Sequence, residues 1–498
     1  MTNRADSLAA EYLDNGSLEG LPDGHFIEGG FTPSVSGKTM ESFDPGLARA
    51  YHSFAAGDED DVDKAARSAS RAGREWARVR PSVRGAILAK AAELLREEAP
   101  RFAVVESLDS GKPLQEAEGD VAGAVRTFEY YAAAANTLQG DSFPLGQDHI
   151  GYSILEPVGV TAHIIPWNFP LSTAARGIAP ALAAGCSVVA KPAEQTPMTA
   201  LLLAELLYRA GLPAGTCNVV TGTGIKAGAP LVRHPAIRHV TFTGSVTTGI
   251  NVMQEAAPNV TRVLLELGGK SPVIVMADAD LDQAVDGILG AIFENAGQIC
   301  SAGSRLVVDR KIHDVLLERL VKRARMLKIG HGLKRSPFGP LNSAEHLSRV
   351  NAHIDGARER GLSIVTGGHA IRDPLTDQGW FFEPTIIDAA PAHDPVVQQE
   401  IFGPVLVVQP FDDDDEALSL ANCTDYGLVA GIYTRDFATA HRLARDIDAG
   451  QIYINEYFAG GIEVPFGGNK MSGFGREKGL AALEAYSRVK SVAARIGK

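Results

Sequence analysis

Residues 160–170 read Val160-Thr-Ala-His-Ile-Ile-Pro-Trp-Asn-Phe-Pro170, a short apolar, β-branched run that stops at a loop stiffened by two prolines. Similar runs occur at 187–191, 217–221, 239–243 and 263–267, spaced roughly 25 residues apart with helical segments between them. These runs are apolar throughout rather than alternating, which is the pattern of strands covered on both faces. The chain therefore predicts a parallel sheet wound with helices on both sides. Ligands of such sheets sit beyond the carboxyl ends of the strands. The turns 166–170, 191–197, 221–228, 244–249 and 266–270 should then surround one crevice.

Working outward, 58–138 carries helical spacing, with Asp61 as the expected N-cap, Leu88, Ala91, Ala92 and Leu95 on one face, and a break at Pro100. An alanine-rich helix is expected over 129–138. Residues 143–160 read as two extended pieces around 146–148, a hairpin whose free edges suit pairing with another subunit. A second α/β pattern fills 271–457, with strands near 273–276, 305–308, 406–410 and 430–433. The end of the chain has a glycine-dense loop from Glu463, a helix at 478–486 and an extended tail at 487–494. The expected fold class is α/β: two doubly wound, Rossmann-like domains plus a small β oligomerisation element. The expected partition is 1–140 with 159–265, then 266–470, and a bridging element of 141–158 with 480–498.

The 498 residues are 45% hydrophobic and 21% charged, an ordinary globular balance. A formal net charge of −13 argues against a nucleic-acid-binding surface. No apolar run reaches the ~20 residues of a membrane-spanning helix. Arg4, Asp6, Glu11 and Asp14 interrupt the N-terminus, so no secretory core is expected there. The four cysteines, Cys186, Cys217, Cys300 and Cys423, are widely separated, which argues against a zinc site or a disulfide framework and points to a reducing cytoplasm. The acidic run 412–416 reads as a solvated turn rather than a metal site.

Three residues are candidates for chemistry. Cys300 lies in Glu294-Asn-Ala-Gly-Gln-Ile-Cys300-Ser-Ala-Gly-Ser304, a polar, glycine-rich stretch after an apolar helix, whereas Cys186 and Cys217 adjoin buried strands and Cys423 sits in a turn. Glu266 ends an apolar strand, where a carboxylate is either paired or tuned by burial into a base. Asn168, between two prolines, is either a turn asparagine or an amide held to stabilise an oxyanion. Gly222-Thr-Gly224-Ile-Lys-Ala-Gly228 approximates a dinucleotide fingerprint with its third glycine one residue late. Gly244-Ser245-Val-Thr-Thr-Gly249 joins a strand to a helix start and suits a pyrophosphate. Lys191 and Glu194 follow another strand end, where a carboxylate favours NAD over NADP.

Taken together, Pro166-Trp-Asn-Phe-Pro170, Lys191-Pro-Ala-Glu194, Phe242-Thr-Gly-Ser245, Glu266-Leu-Gly-Gly-Lys270, Gly297-Gln-Ile-Cys300, Glu400-Ile-Phe-Gly-Pro404 and Pro465-Phe-Gly-Gly-Asn-Lys-Met-Ser-Gly473 resemble the aldehyde dehydrogenase superfamily, in the expected order and over about residues 20–490. The resemblance implies an NAD-binding domain (1–140 with 159–265), a catalytic domain (266–470) and a bridging hairpin, assembled as a homodimer or homotetramer.

It also implies that the Cys300 thiolate attacks an aldehyde, that Asn168 and the Cys300 N–H hold the oxyanion, and that Glu266 activates the hydrolytic water. Lys191 and Glu194 would meet the adenosine ribose, Ser245 the pyrophosphate, and Glu400 with Phe402 the nicotinamide end. Ile164, Ile165, Pro166, Trp167, Gly224, Gly228, Phe242, Gly244, Thr248, Leu267 and Gly268 would line the cofactor crevice. Phe169, Thr173, Arg176, Glu294, Ile299, Ser301, Phe458 and Phe466 would form the substrate pocket, and no metal is implied.

Ala193 replaces a serine that accompanies NADP use in some relatives, so NAD is expected to be preferred. Arg176 stands where semialdehyde-oxidising relatives hold a substrate carboxylate, but Glu294 replaces their second arginine, and the two are expected to pair. Glu463 either resembles the amino- and betaine-aldehyde branch or is a surface residue. Aliphatic or aromatic aldehydes are expected ahead of betaine, amino- or ω-carboxylate aldehydes. A coenzyme A-acylating enzyme and a non-catalytic protein on the same scaffold are the rival readings; Glu266 argues against the first and the intact trio against the second.

Overall fold

The computed structural model describes residues 2–497. Five parallel strands, Cys217–Val219, Ser187–Pro192, Val160–Ile165, Ile237–Thr243 and Arg262–Glu266, lie side by side in that order at the centre of an eight-stranded sheet. The sheet is parallel because each strand returns through a helix, such as Pro170–Ala184 or Val246–Ala256, that packs back onto it. One edge is closed by the antiparallel pair His25–Ile27 and Gly30–Thr32, the other by Gly473–Phe474, which runs antiparallel to the strand ending in Glu266. Helices Glu59–Trp76, Pro81–Glu97, Ala99–Ser110 and Leu114–Ala134 cover this half.

The first of these helices begins earlier than expected. Asp58 is its N-cap, and Asp61 occupies the third helical position, completing a capping box with the Asp58 backbone. The break expected at Pro100 is a single residue, Glu98, between two helices. The alanine-rich segment is the last part of Leu114–Ala134 and ends at Ala134, short of Leu138.

The second sheet has seven strands, in the order Ser363–Thr366, Thr385–Asp388, Val405–Phe411, Arg305–Asp309, Pro272–Val275, Val429–Tyr433 and Gln451–Ile454, parallel except for the first. Three of its inner strands, Arg305–Asp309, Pro272–Val275 and Val429–Tyr433, are wholly buried, as a sheet covered on both faces requires. In the third sheet, Ser487–Arg495 runs antiparallel to His149–Pro157, from Ser487 opposite Pro157 to Arg495 opposite His149, with Ser142–Phe143 on the far side. Ile150, Tyr152, Ile154 and Val489 are exposed there, an apolar surface on a narrow sheet. Among the described residues no helix is long and apolar enough to cross a membrane.

Candidate active site

Cys300 is delivered by an irregular turn. After the helix Leu281–Phe293, three successive residues, Asn295, Ala296 and Gly297, take positive φ of 47°, 52° and 74°. A side chain at Gly297 would lie 2.2 Å from the Gly403 carbonyl oxygen, so glycine is required for the close approach. The turn is stitched to the proline-stiffened loop: Asn168 Nδ2 donates to the Gln298 carbonyl at 2.9 Å, and Asn295 Nδ2 donates to the Asn168 carbonyl at 3.2 Å. Asn168 is thereby tied to a residue two positions before Cys300, and the second N–H of its amide makes no hydrogen bond among the described residues.

Cys300, Asn168 and all eight expected pocket residues line one cavity of about 230 Å³. Phe169, Phe458 and Phe466 form aromatic walls, with Thr173, Ile299 and Ser301 between them; Arg176 and Glu294 bring charge. Burial pushes the Cys300 thiol up to about 12; Arg176 opposes this, while Glu266 and Glu400 add to it.

Glu266 ends its strand between Thr243 on one side and Gly473 on the other. It is buried, and neither carboxyl oxygen has a hydrogen-bond partner. Burial first and the neighbouring Glu477 second hold its pKa well above the usual carboxyl range, partly offset by Arg176, Arg476 and Lys478. A buried carboxyl without partners is a strong base once ionised.

The expected pairing of Arg176 with Glu294 is not formed. Arg176 instead pairs with the buried Glu477 at 3.0 Å and lies over the Phe466 ring. Glu477 is three hundred residues away in sequence, and the C-terminal loop brings it beneath the pocket, where a buried guanidinium needs a buried partner. Glu463 lies outside the cavity, in an exposed ion pair with Arg126.

The other strand ends carry the expected cofactor-side groups. Lys191, buried at the end of its strand, pairs with Glu194 at 3.0 Å. Gly224–Gly228 forms one π-helical turn, with Thr223 Oγ1 accepting from the Lys226 N–H at 3.2 Å and open space around Gly224; the Gly228 position faces Lys191. Ser245 caps Val246–Ala256 by accepting from the Thr248 N–H, and its hydroxyl also bonds the Thr248 hydroxyl at 3.0 Å. Gly244 lies against the Phe242 ring, and Leu267 packs where Gly249 lacks a side chain.

Glu400 Oε1 accepts from the Gly269 N–H at 2.8 Å and fills the space left by Gly268. Burial raises the Glu400 carboxyl to about 7 against the pull of Gly269 and Lys270. Phe402, at φ 59°, meets the Trp167 ring edge-on at 5.3 Å, and His346 bonds the Phe402 carbonyl at 2.7 Å. Ile164 and Ile165 end the strand that leads into Pro166.

Residues 31–492 match the aldehyde dehydrogenase family. The chain belongs to that family. It is 42% identical over 489 residues, 97% of each chain, to an aminoacetaldehyde dehydrogenase of Pseudomonas aeruginosa. A solved NAD+ complex of an aldehyde dehydrogenase from Bacillus cereus is similar at 40% identity and a TM-score of 0.93, over 95% of this chain and 97% of that one. The indole-3-acetaldehyde dehydrogenase of P. syringae, solved with NAD+ and IAA, is similar at 38% identity and a TM-score of 0.95, over 98% and 99% of the two chains. The α/β fold and aldehyde oxidation are properties of this aldehyde dehydrogenase accordingly.

The cavity also contains Asp120, Ser172, Thr243, Tyr453, Ala459 and Lys478, which sequence reasoning missed. Asp120 sits in mid-helix, held by the buried Lys112, and nothing near it in sequence marks a pocket. Lys478 had one available signal: it is a charged residue immediately before a helix, at the end of the glycine-dense loop, and takes φ 62°.

Proposed function

We propose that this aldehyde dehydrogenase oxidises an aldehyde to its carboxylic acid with NAD, through a covalent adduct on Cys300. The observation that carries the reading is that Cys300 and the pinned amide of Asn168 face one cavity, with the unpartnered Glu266 carboxyl at the adjoining strand end. The residues of the crevice suit the dinucleotide: open backbone at Gly224, a helix N-terminus capped by Ser245, and Lys191 with Glu194 at a strand end. NAD supplies the hydride acceptor.

The protein's own groups do the rest. Cys300 Sγ, once it has shed its proton, bonds to the carbonyl carbon, and Arg176 favours the thiolate it needs. The free N–H of Asn168 and the Cys300 N–H stabilise the oxygen of the resulting thiohemiacetal, and loss of a hydride from its carbon to the acceptor that NAD would supply leaves a thioester on Cys300. Glu266 takes a proton from water, and the hydroxide equivalent displaces Cys300 as the acid forms. Glu400 and Phe402 would hold the nicotinamide end.

Glu194 supports NAD over NADP, because a carboxylate repels the additional phosphate. A water-activating Glu266 favours hydrolysis over transfer to coenzyme A. The exposed apolar residues on the strands 149–157 and 487–495 support a homodimer or homotetramer assembled through that element, and four free cysteines suit the cytoplasm. The same reading keeps the partition into an NAD-binding part, a catalytic part from 266 to 470 and a bridging part.

The test follows NADH formation from a simple aldehyde. Cys300→Ala should abolish it. Glu266→Gln should allow one burst of NADH per active site and then stall, with the acyl group found on the Cys300 peptide by mass spectrometry. Unchanged steady turnover in either variant, or turnover that demands coenzyme A, overturns the mechanism.

A further inference from the structure

Among the described residues, two charged side chains on the aldehyde cavity, Lys478 and Glu294, take part in no ion pair or side-chain hydrogen bond. The other two, Arg176 and Asp120, are satisfied from behind, by Glu477 and by Lys112. The cavity is therefore polarised. Around Phe466 stand Arg176 and Lys478, both over its ring, at 5.6 and 5.2 Å, with Glu477 paired to Arg176 and the Glu266 carboxyl acting on both cations from the neighbouring strand end. Around Phe169 stand Glu294 and Asp120, with Glu116 and Glu106 beyond, all grouped about the single cation Lys112, which itself lies 4.1 Å from the Phe169 ring.

Each unpaired group resists its own charge. Burial lowers Lys478 to about 8, and burial together with Asp120 raises the Glu294 carboxyl above its usual range. Glu294 also meets solvent and Lys478 is half-buried, and neither has a direct counter-ion; a neutral aldehyde would supply neither partner, and a singly charged one only one of them.

We propose that the aldehyde taken by this cavity carries an α-amino-acid head, its carboxylate facing Lys478 and its ammonium facing Glu294. The proposal rests on aldehyde oxidation at Cys300 and adds the substrate class. Arg176, already tied to Glu477, lends positive potential to the carboxylate side without being its ligand. Lys478 and Glu294 are positioning residues: they orient the far end of the molecule and leave the bond-making to Cys300.

The test compares four aldehydes of matched chain length: one uncharged, one with an ω-amine, one with an ω-carboxylate, and one ending in an amino-acid head. Wild type, Lys478→Met and Glu294→Gln are each followed by NADH formation. The amino-acid semialdehyde should give the highest kcat/KM, at least tenfold above the uncharged aldehyde. Lys478→Met should raise KM at least tenfold more for the two carboxylate-bearing aldehydes than for the ω-amino one. Glu294→Gln should do the same for the two ammonium-bearing aldehydes relative to the ω-carboxylate one.

Amino-bearing aldehydes cyclise to imines in water, so calorimetric binding of the oxidised product to Cys300→Ala protein provides a second readout; it should weaken at least tenfold in each double variant. Turnover with equal kcat/KM for the uncharged aldehyde, a preference for a singly charged one, or a uniform loss across all four in both variants overturns the proposal while aldehyde oxidation stands. No NADH from any of the four overturns the oxidation reading and this one with it.

Discussion

Replacing Gly268 with alanine should separate cofactor holding from folding. An alanine Cβ there would stand 2.1 Å from Glu400 Oε2 and 2.6 Å from its Cδ, a contact that cannot persist. Gly268 has ordinary backbone angles, so alanine itself is tolerated, and its carbonyl is clamped by the Ser472 hydroxyl at 2.7 Å. The carboxyl, at the end of a flexible side chain, must yield by about 1 Å or more. It then loses the 2.8 Å bond from the Gly269 N–H.

A hydrogen bond to a charged group contributes about 1.5–3 kcal/mol. If the same carboxylate holds the nicotinamide ribose, KM for NAD should rise roughly tenfold to a hundredfold. The Glu400 carboxyl sits near 7, so the assay belongs at about pH 8.5, where it is ionised. The melting temperature should fall by no more than ~2–4 °C, since the displaced group is a side-chain tip. An unchanged KM for NAD in a protein that melts like wild type would refute the role given to Glu400.

Two further outcomes follow from the buried charges. Because the Cys300 thiol is raised to about 12, its thiolate fraction should grow about tenfold per pH unit throughout pH 7–10; alkylation of the Cys300 peptide by iodoacetamide should rise in parallel, and a plateau below pH 9 would contradict the buried, neutral resting thiol. Lys112→Met leaves Glu106 and Asp120 without their buried cation and should lower stability by about 3–5 kcal/mol in urea unfolding. That loss should shrink on acidification, because removing the cation raises both carboxyls further and protonation then removes their repulsion; a loss independent of pH would refute the assignment.

The parallel strands at 160–165, 187–192, 237–243 and 262–266 were legible because fully buried strands write themselves as unbroken apolar runs. Their terminal turns, and with them Asn168, Ser245 and Glu266, followed from the rule that such sheets bind at the carboxyl ends of their strands. The edge strands were not legible: His25–Ile27, Gly30–Thr32 and Gly473–Phe474 are two or three residues long, and their place depends on partners far off in sequence. The partner of Arg176 was hidden for the same reason, since a buried charge selects a neighbour by tertiary proximity, and nothing in the sequence around Arg176 points to Glu477 rather than Glu294. Asp58 and Asp61 illustrate a smaller ambiguity, because the two acids of a capping box look alike until the first helical turn is drawn.

The strand that carries Glu266 is flanked on its outer side by Gly473–Phe474, residues about two hundred positions further along the chain. A nascent chain still threaded through the ribosome has long since made its thiol at position 300, yet the sheet edge beside Glu266 is bare and Arg176 lacks its counter-ion Glu477. Docking of residues 473–477 therefore completes both places at once, and a product terminated before Gly473 would carry an unmatched guanidinium and an open flank. Such a product would be a substrate for proteolysis rather than a partially working enzyme.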